Sequence, residues 1–270
     1  MEVMVADLKG RAVVVTGATS GIGEQFSLML AARGCSLVLL ARRHDALEAL
    51  ADRLRLEHGV AVTTLPVDLS VPQALAGVQT TLEGSGLAVY GLVNNAGFGA
   101  AGPFSEMSVR TINELAAVNL TAAAGLIRFL LPGMLARGEG FIINVGSVAG
   151  FQPVPLMAMY AATKAALLSL SRALAEEVRG SGVHVVAVCP GTTRTRFFAR
   201  AGMPRWDEFG AGHDPAVVAR AGLRALAKGR TVTIVGLRNR LAAVLVRWVP
   251  PSLVVRCALA ATRRRLSQNV

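Results

Sequence analysis

Short runs of β-branched and other apolar residues alternate with longer, Ala- and Leu-rich helical patterns along most of the 270-residue chain. The apolar runs predict seven strands, at Ala12–Thr16, Ser36–Leu40, Val60–Val67, Tyr90–Asn94, Gly140–Val145, Val183–Cys189 and Thr231–Val235. Helical patterns separate them, at Gly21–Arg33, Asp45–Glu57, Pro72–Glu83, about Ser108–Leu131, Leu156–Arg179 and Pro215–Lys228. Strands that are apolar at every position are typical of a parallel sheet between two layers of helices. Because such crossovers are right-handed, the sequence predicts an α/β fold with a doubly wound, Rossmann-like parallel sheet of seven strands.

The composition suits one domain with a large core, because 53% of the residues are hydrophobic and only 17% are charged. We predict a Rossmann-type domain over residues 1–236 and a basic, apolar C-terminal tail over residues 237–270. The cysteines Cys35, Cys189 and Cys257 lack the spacing of a metal site or a redox pair. We therefore expect reduced thiols, a cytoplasmic location and no bound metal.

The net charge of +11 is concentrated in the tail. Between Gly236 and Val270 there are seven arginines and no acidic residue, and apolar runs such as Leu241–Val246 lie among the arginines. This pattern is typical of peripheral contact with an anionic membrane, and equally of a helix pair packed beside an active site or at a dimer interface. Arg247 and Arg256 interrupt the apolar runs, which argues against a membrane span. Basic tails also bind nucleic acid non-specifically, but no recognition motif accompanies this one, so we expect no specific nucleic acid partner.

The first predicted strand runs into a glycine-rich turn, Thr16–Gly23, with the sequence TGATSGIG. Glycines let backbone N–H groups approach a pyrophosphate closely, and the following helix presents its positive end to that group. We therefore predict dinucleotide contacts from the turn, namely from Gly17, Thr19, Ser20, Gly21, Ile22 and Gly23. The spacing differs from the general G-x-G-x-x-G fingerprint, and a purely structural glycine turn is the alternative.

The second predicted strand ends in Ala41-Arg42-Arg43, where a site for NAD usually has an acidic residue that holds the ribose 2′-hydroxyl. Two cations at the start of a helix oppose the helix dipole unless an anion lies beside them. The 2′-phosphate of NADP(H) would supply that anion, and arginine would bind it through paired hydrogen bonds. Arg42 and Arg43 therefore predict NADP(H) as the cofactor; two solvated surface arginines are the alternative.

Six motifs resemble those of the short-chain dehydrogenase/reductase family and occur in the family's order. They are Thr16–Gly23, Asp68-Leu69, Asn94-Asn95-Ala96-Gly97, Asn119, Ser147 with Tyr160-x-x-x-Lys164, and Pro190-Gly191. The resemblance implies that Asp68 and Leu69 flank the adenine, and that Asn95, Ala96 and Gly97 pack beside the adenosine and the central strand. It also implies that the nicotinamide and phosphate end is lined by Pro190, Gly191, Thr193 and Thr195.

The same resemblance implies a catalytic group made of Asn119, Ser147, Tyr160 and Lys164. Tyr160 and Lys164 stand four residues apart, so in a helix their side chains share a face, and the ammonium would lower the pKa of the phenol. Tyr160 would then exchange a proton with the substrate oxygen, and Ser147 would hydrogen-bond that oxygen. In the family the lysine also holds the nicotinamide ribose, and Asn119 would anchor a water that relays protons to Lys164.

These residues predict an NADP(H)-dependent oxidoreductase that interconverts a ketone or oxoacyl group and a secondary alcohol. The alternative is a non-catalytic protein of the same fold that senses NADP(H), although a sensor has no need of Ser147, Tyr160 and Lys164 together. Serine hydrolysis is excluded, because Gly146–Gly150 lacks the glycine register of a nucleophile elbow and no histidine fits a triad.

The stretch from Thr192 to Asp214 follows the sixth strand, where family members carry a mobile substrate lid. Apolar side chains are frequent in this stretch and near the catalytic motifs: Phe197, Phe198, Met203, Trp206, Phe209, Phe98, Phe151, Met157 and Met159. They predict a pocket for a hydrophobic carbonyl or alcohol substrate, or they only pack the lid. The resemblance further implies a homodimer or homotetramer formed through the long helices.

Overall fold

The fold is built on one parallel sheet, in a computed structural model that describes residues 8–203, 212–246 and 248–267. The strands are β1 (Ala12–Thr16), β2 (Ser36–Ala41), β3 (Val62–Pro66), β4 (Val89–Asn94), β5 (Gly140–Val145), β6 (Val183–Cys189) and β7 (Val232–Ile234). Their order is β3-β2-β1-β4-β5-β6-β7, and each pairing between neighbours is parallel. This order confirms the predicted doubly wound sheet, with β1 and β4 side by side where the winding reverses.

Helices connect the strands and cover both faces of the sheet. They are α1 (Gly21–Ala31), α2 (His44–His58), α3 (Ala74–Gly84), α4 (Val109–Ala116), α5 (Ala122–Arg137), α6 (Ala158–Glu177), α7 (Phe197–Arg200), α8 (Pro215–Ala227), α9 (Leu237–Leu245) and α10 (Pro251–Ser267). Short 3₁₀ turns lie at Phe104–Glu106 and Val148–Phe151.

The core lies in two layers, one on each face of the sheet, as the continuously apolar strands predict. One layer packs Phe26 and Leu30 of α1 against α2 and α8 and includes Val13 and Val15 of β1. The other packs α3, α5 and α6 against the opposite side chains of the same strands, such as Val14. Because β1 is buried on both faces, its position in the sheet determines where the glycine turn that follows it lies.

The segment predicted as one helix at about Ser108–Leu131 is longer and contains a widened turn. Ser108 caps α4 by accepting a hydrogen bond from Thr111 N (3.1 Å), and a π-helical turn at Ala117–Thr121 joins α4 to α5. The helical run Val109–Arg137 is apolar and long enough to cross a membrane by length and composition alone. That is weak support for a span, because Leu126, Ile127, Leu130 and Met134 of α5 pack in the second core layer.

The tail forms α9 and α10, which pack beside the carboxyl ends of the strands. Asn239 of α9 donates a hydrogen bond to Val235 O (2.7 Å), and Ala243 is buried. In α10, Val254 and Thr262 are buried, and Leu266 contacts the cluster of apolar side chains around Tyr160. The sequence left three arrangements open for the tail: contact with a membrane, packing at a dimer interface and packing beside the active site. The structure shows that the tail packs beside the site of its own chain.

Candidate active site

A cavity of about 410 Å³ opens beyond the carboxyl ends of the central strands. In doubly wound sheets this edge, where the winding reverses, is the usual place for a ligand. Most of the predicted site residues line the cavity: Gly17, Ser20, Gly21, Ile22, Asn95, Ala96, Gly97, Ser147, Tyr160, Lys164, Pro190, Gly191, Thr193 and Thr195. The structure thus brings together motifs that are spread over most of the chain.

The glycine turn is fixed to β4 by the side chains of Thr16 and Asn95. Thr16 Oγ1 accepts hydrogen bonds from the backbone N–H groups of Asn95 and Ala96, both at 2.9 Å. Asn95 Nδ2 donates in return to Thr16 O (3.0 Å) and Gly17 O (3.1 Å). A Cβ on Gly23 would lie 2.4 Å from both Asn95 Nδ2 and Gly17 O, so no larger residue fits there. Gly23 therefore acts by permitting this contact, and the asparagine side chain is used to shape the turn.

Asp68 and Leu69, predicted beside the adenine, follow β3 and lie outside this cavity. Asp68 Oδ1 accepts hydrogen bonds from Ser70 N (2.9 Å) and Ser70 Oγ (2.8 Å). The backbone hydrogen bond from Ser70 is the main cause that lowers the pKa of Asp68, and the charge of Arg42 adds to it. Asp68 therefore stays ionised beside the arginines that end β2.

Arginines from two distant segments meet at the far end of the crevice. Arg42 and Arg43 are exposed at the end of β2, and Arg43 Nη2 lies 3.5 Å from Thr19 O. A second cavity shares Ser20, Gly21, Thr195 and Arg196 with the first. Its lining also includes three further charged residues, Glu24, Arg43 and Arg194, and the Thr19 side of the turn. Arg200, in α7, is exposed but partly shielded from water, and this partial burial lowers its pKa. Repulsion by Arg43, Arg42 and Arg196 lowers the pKa of Arg200 further. We call these four residues the arginine cluster; the sequence predicted only its two members from β2.

Ser147, Tyr160 and Lys164 converge at the near end of the crevice. Ser147 follows β5, and its Oγ accepts a hydrogen bond from Ala149 N (3.1 Å). Tyr160 and Lys164 lie on successive turns of α6, and a hydrogen bond joins the side chains of Tyr160 and Ser147. Lys164 Nζ donates to Val145 O (2.8 Å) and lies 5.9 Å from the centre of the Tyr160 ring.

The protonation of the Tyr160–Lys164 pair differs from the sequence prediction. Burial raises the pKa of Tyr160 to about 12, and the hydrogen bond with Ser147 only partly opposes this rise. Burial also lowers the pKa of Lys164 to about 8. The predicted lowering of the phenol's pKa is therefore wrong for this structure, because both groups are removed from water and the cost of a buried phenolate dominates. At neutral pH Tyr160 holds its proton and Lys164 is mostly charged.

Asn119 lies in the π-helical turn and braces the site through its side chain. Its Oδ1 accepts from Phe98 N (3.0 Å), and its Nδ2 donates to Phe98 O (2.9 Å) and Thr163 Oγ1 (3.2 Å). These bonds hold the segment after β4 against α6 one residue before Lys164. The predicted contact of Asn119 with a proton-relaying water stays a prediction.

Aromatic side chains form an apolar wall of the cavity beside Tyr160. The ring centre of Phe197 lies 5.2 Å from that of Tyr160 and 5.2 Å from that of Phe198. Of the apolar residues that the sequence singles out, the cavity is lined by Phe98, Met157, Phe197 and Phe198. Phe151 instead packs with Leu168 and Cys189, and Met159 is not part of the lining. Trp206 and Phe209 lie outside the described residues.

The tail supplies part of the same cavity, which the sequence did not predict residue by residue. Ala258, Ala261 and Thr262 of α10 line it, together with Asn239 of α9. The spacing of the three α10 residues puts them on one helical face. The spacing of these small side chains can be read from the sequence, but it indicates a cavity lining only once the structure places α10 near Tyr160.

Fold and site together define a Rossmann-type protein that places a serine, a tyrosine and a lysine at the point where the winding of its sheet reverses. The family of short chain dehydrogenases matches residues 11–205, and the chain belongs to this family.

Known relatives share both the sequence and the architecture. A very-long-chain 3-oxoacyl-CoA reductase of Mus musculus is 35% identical over 199 residues, which are 72% of this chain and 63% of that protein. A short-chain dehydrogenase from Sphingobium yanoikuyae in complex with NADPH is 37% identical, with a TM-score of 0.80 over 96% of each chain. A bulky-bulky ketone specific alcohol dehydrogenase from Comamonas testosteroni is 32% identical, with a TM-score of 0.76 over 88% of this chain and 92% of its own.

Proposed function

We propose that this protein is an NADPH-dependent oxidoreductase that interconverts a ketone or oxoacyl group and a secondary alcohol on a hydrophobic substrate. The observation that carries the proposal is the meeting of Ser147, Tyr160 and Lys164 in one cavity with an apolar wall. The relatives that act on oxoacyl-CoA and on bulky ketones support the substrate class.

The chain's own residues fit NADP(H). The glycine turn leaves no room for larger side chains at Gly23 and faces a cavity, as a pyrophosphate requires. The arginine cluster gathers positive charge around Thr19 and Ser20, where a 2′-phosphate would relieve the repulsion that Arg200 experiences. NADPH, when bound, supplies the hydride for carbonyl reduction.

The remaining chemistry is proton transfer and charge stabilisation by side chains. Tyr160, which holds its proton at neutral pH, donates that proton to the substrate oxygen as the carbonyl carbon is reduced. Ser147 donates a hydrogen bond to the same oxygen and stabilises its developing charge. The Lys164 ammonium, anchored by Val145 O, stabilises the phenolate that remains on Tyr160. In the direction of oxidation the same phenolate accepts the proton of the alcohol.

The test is turnover of NADPH with a panel of hydrophobic ketones, followed by the loss of nicotinamide absorbance. We expect oxidation of NADPH that depends on the ketone and a secondary alcohol as the product. The competing function is an NADP(H) sensor with the same fold. Tight NADPH binding without turnover of any ketone or oxoacyl thioester would favour the sensor and contradict the proposed reaction.

We further propose a cytoplasmic protein that acts as a homodimer or homotetramer and contacts membranes peripherally through its tail. The long helices α4 to α6 offer the family's surface for assembly, and Val109 and Leu135 are exposed on them. Size-exclusion chromatography with light scattering measures the assembly: a mass of two or four chains is expected, and a mass of one contradicts it.

A further inference from the structure

The outer face of α9 is apolar although it points to solvent. Leu237, Leu241, Val244 and Leu245 are all exposed, Leu237 to 69%. At 3.6 residues per turn they fall within an arc of about 100°, opposite the inward-facing Asn239 and Ala243. We call them the α9 stripe, together with the neighbouring Trp248 and Leu253, which are exposed to 84% and 51%.

Isolated exposed apolar side chains are ordinary on protein surfaces, but a contiguous set marks a binding surface. The stripe is contiguous along α9 and continues past the helix end to Trp248, a residue type suited to the boundary between apolar and aqueous phases. The stripe therefore favours a partner that offers an apolar surface.

The positive charge around the stripe indicates that its partner is anionic. Arg238 and Arg240 are exposed and flank the stripe on its two sides in the helical projection. No acidic residue occurs from Gly236 to Val270, while seven arginines do. A second copy of this chain that paired its own stripe with this one would bring the arginines of both tails together, and the tails contain no carboxylate to compensate them. An anionic surface with an apolar interior complements both features.

We propose that the α9 stripe makes the membrane contact of the tail on which this inference rests, as a peripheral docking surface for anionic lipid bilayers. Its leucines lie at the level of the acyl chains, and Arg238 and Arg240 lie among the headgroups. A helix of nine residues is only about 14 Å long, so α9 lies in the interface and does not cross the bilayer. The stripe is joined directly to α10, whose Ala258, Ala261 and Thr262 line the cavity. Docking therefore brings the tail side of the cavity close to the lipid.

The experiment is flotation with vesicles of phosphatidylcholine alone or mixed with phosphatidylglycerol, without nicotinamide cofactor. The full chain should float with the mixed vesicles and stay behind with neutral ones. Leu241→Ser with Leu245→Ser should weaken binding to the mixed vesicles about tenfold or more. Arg238→Gln with Arg240→Gln should weaken it by a similar factor, and added salt should weaken binding of the unchanged protein in the same way. The matched control is Leu56→Ser, which removes an exposed leucine from α2 and should bind as the unchanged protein does.

Insertion is measured separately through Trp248 in a Trp206→Phe background, which leaves one tryptophan. Mixed vesicles should shift its emission to the blue, as expected for an indole that leaves water. The proposal fails if the chain ignores anionic vesicles, if the leucine variant floats like its parent, or if that variant only turns a dimer into a monomer. Because these residues do not line the cavity, ketone reduction should persist in both variants. Loss of lipid binding with activity intact thus separates this inference from the proposed reaction.

Discussion

The two ends of the crevice are constructed differently. At the catalytic end, Tyr160 and Lys164 are buried, and hydrogen bonds to Ser147 and to Val145 O fix their positions. At the phosphate end, the arginine cluster is exposed and its members repel one another. Fixed side chains suit a chemical step, because the reacting atoms must be placed within a fraction of an ångström. Flexible arginine side chains suit the binding of an anion, because they can arrange themselves around it when it binds. The difference predicts that the two ends affect separate kinetic quantities.

The largest expected effect is at the catalytic end. Tyr160→Phe removes the proton donor and leaves the ring, so kcat should fall by about 10³-fold while the Kd for NADPH changes little. Stopped-flow turnover and cofactor fluorescence measure the two quantities. Unchanged turnover would remove Tyr160 from its proposed role.

At the phosphate end, Arg42→Ala with Arg43→Ala should weaken NADPH binding by about 100-fold and leave NADH binding nearly unchanged, because only NADPH carries the 2′-phosphate. Titration calorimetry with both dinucleotides is the measurement. The matched control is Arg33→Gln, since Arg33 is an exposed arginine at the opposite end of α1. An equal loss for both dinucleotides would contradict the phosphate role.

The tail side of the cavity affects substrate size. Ala258→Phe fills space beside the apolar wall and should raise KM for a bulky ketone about tenfold, with a smaller change for a short ketone. Ala260→Phe is the control, because Ala260 is exposed on the same helix and does not line the cavity. If both variants behave alike, α10 acts on stability and not on substrate choice.

Arg200 connects the two ends, because α7 also carries Phe197 against the Tyr160 ring. Arg200→Gln should weaken NADPH binding about fivefold, less than loss of Arg42 and Arg43, since this side chain reaches the cluster from α7. A larger effect on NADH than on NADPH in the same titration would show that Arg200 supports α7 and does not bind the phosphate.

The smallest effect concerns pH. Burial lowers the pKa of Lys164 to about 8, so its charge is present below that pH and is lost as the pH rises through it. Because half of the ammonium is lost where pH equals pKa, kcat for ketone reduction should be about half its neutral value near pH 8. Lys164→Arg keeps the charge to higher pH, so its profile should stay flat there even if its kcat is lower. A wild-type profile flat to pH 10 contradicts the assignment.

The sequence predicted the sheet from local signals, and it singled out Ser147, Tyr160 and Lys164 through motifs that resemble those of a known family. Short continuous apolar runs indicate buried strands. Tyr160 and Lys164 stand one helical turn apart in any helix that contains them, independent of the rest of the fold. The sequence missed Arg196, Arg200 and the α10 lining because those contacts join segments far apart along the chain. The predicted direction of the shift in the pKa of Tyr160 was also wrong, because the shift depends on burial, which local spacing does not reveal.

The hydrogen bonds between Thr16 and the segment after β4 also bear on how the molecule opens. The amides of Asn95 and Ala96 both donate to one hydroxyl at the junction of the two central strands. Their hydrogens reach solvent deuterium when these two bonds open, either by local movement of the turn or by separation of β1 from β4. Exchange at these two amides as slow as at the amides of β1 and β4 would show that the nucleotide turn opens only together with the domain, and faster exchange would show that the turn opens by itself.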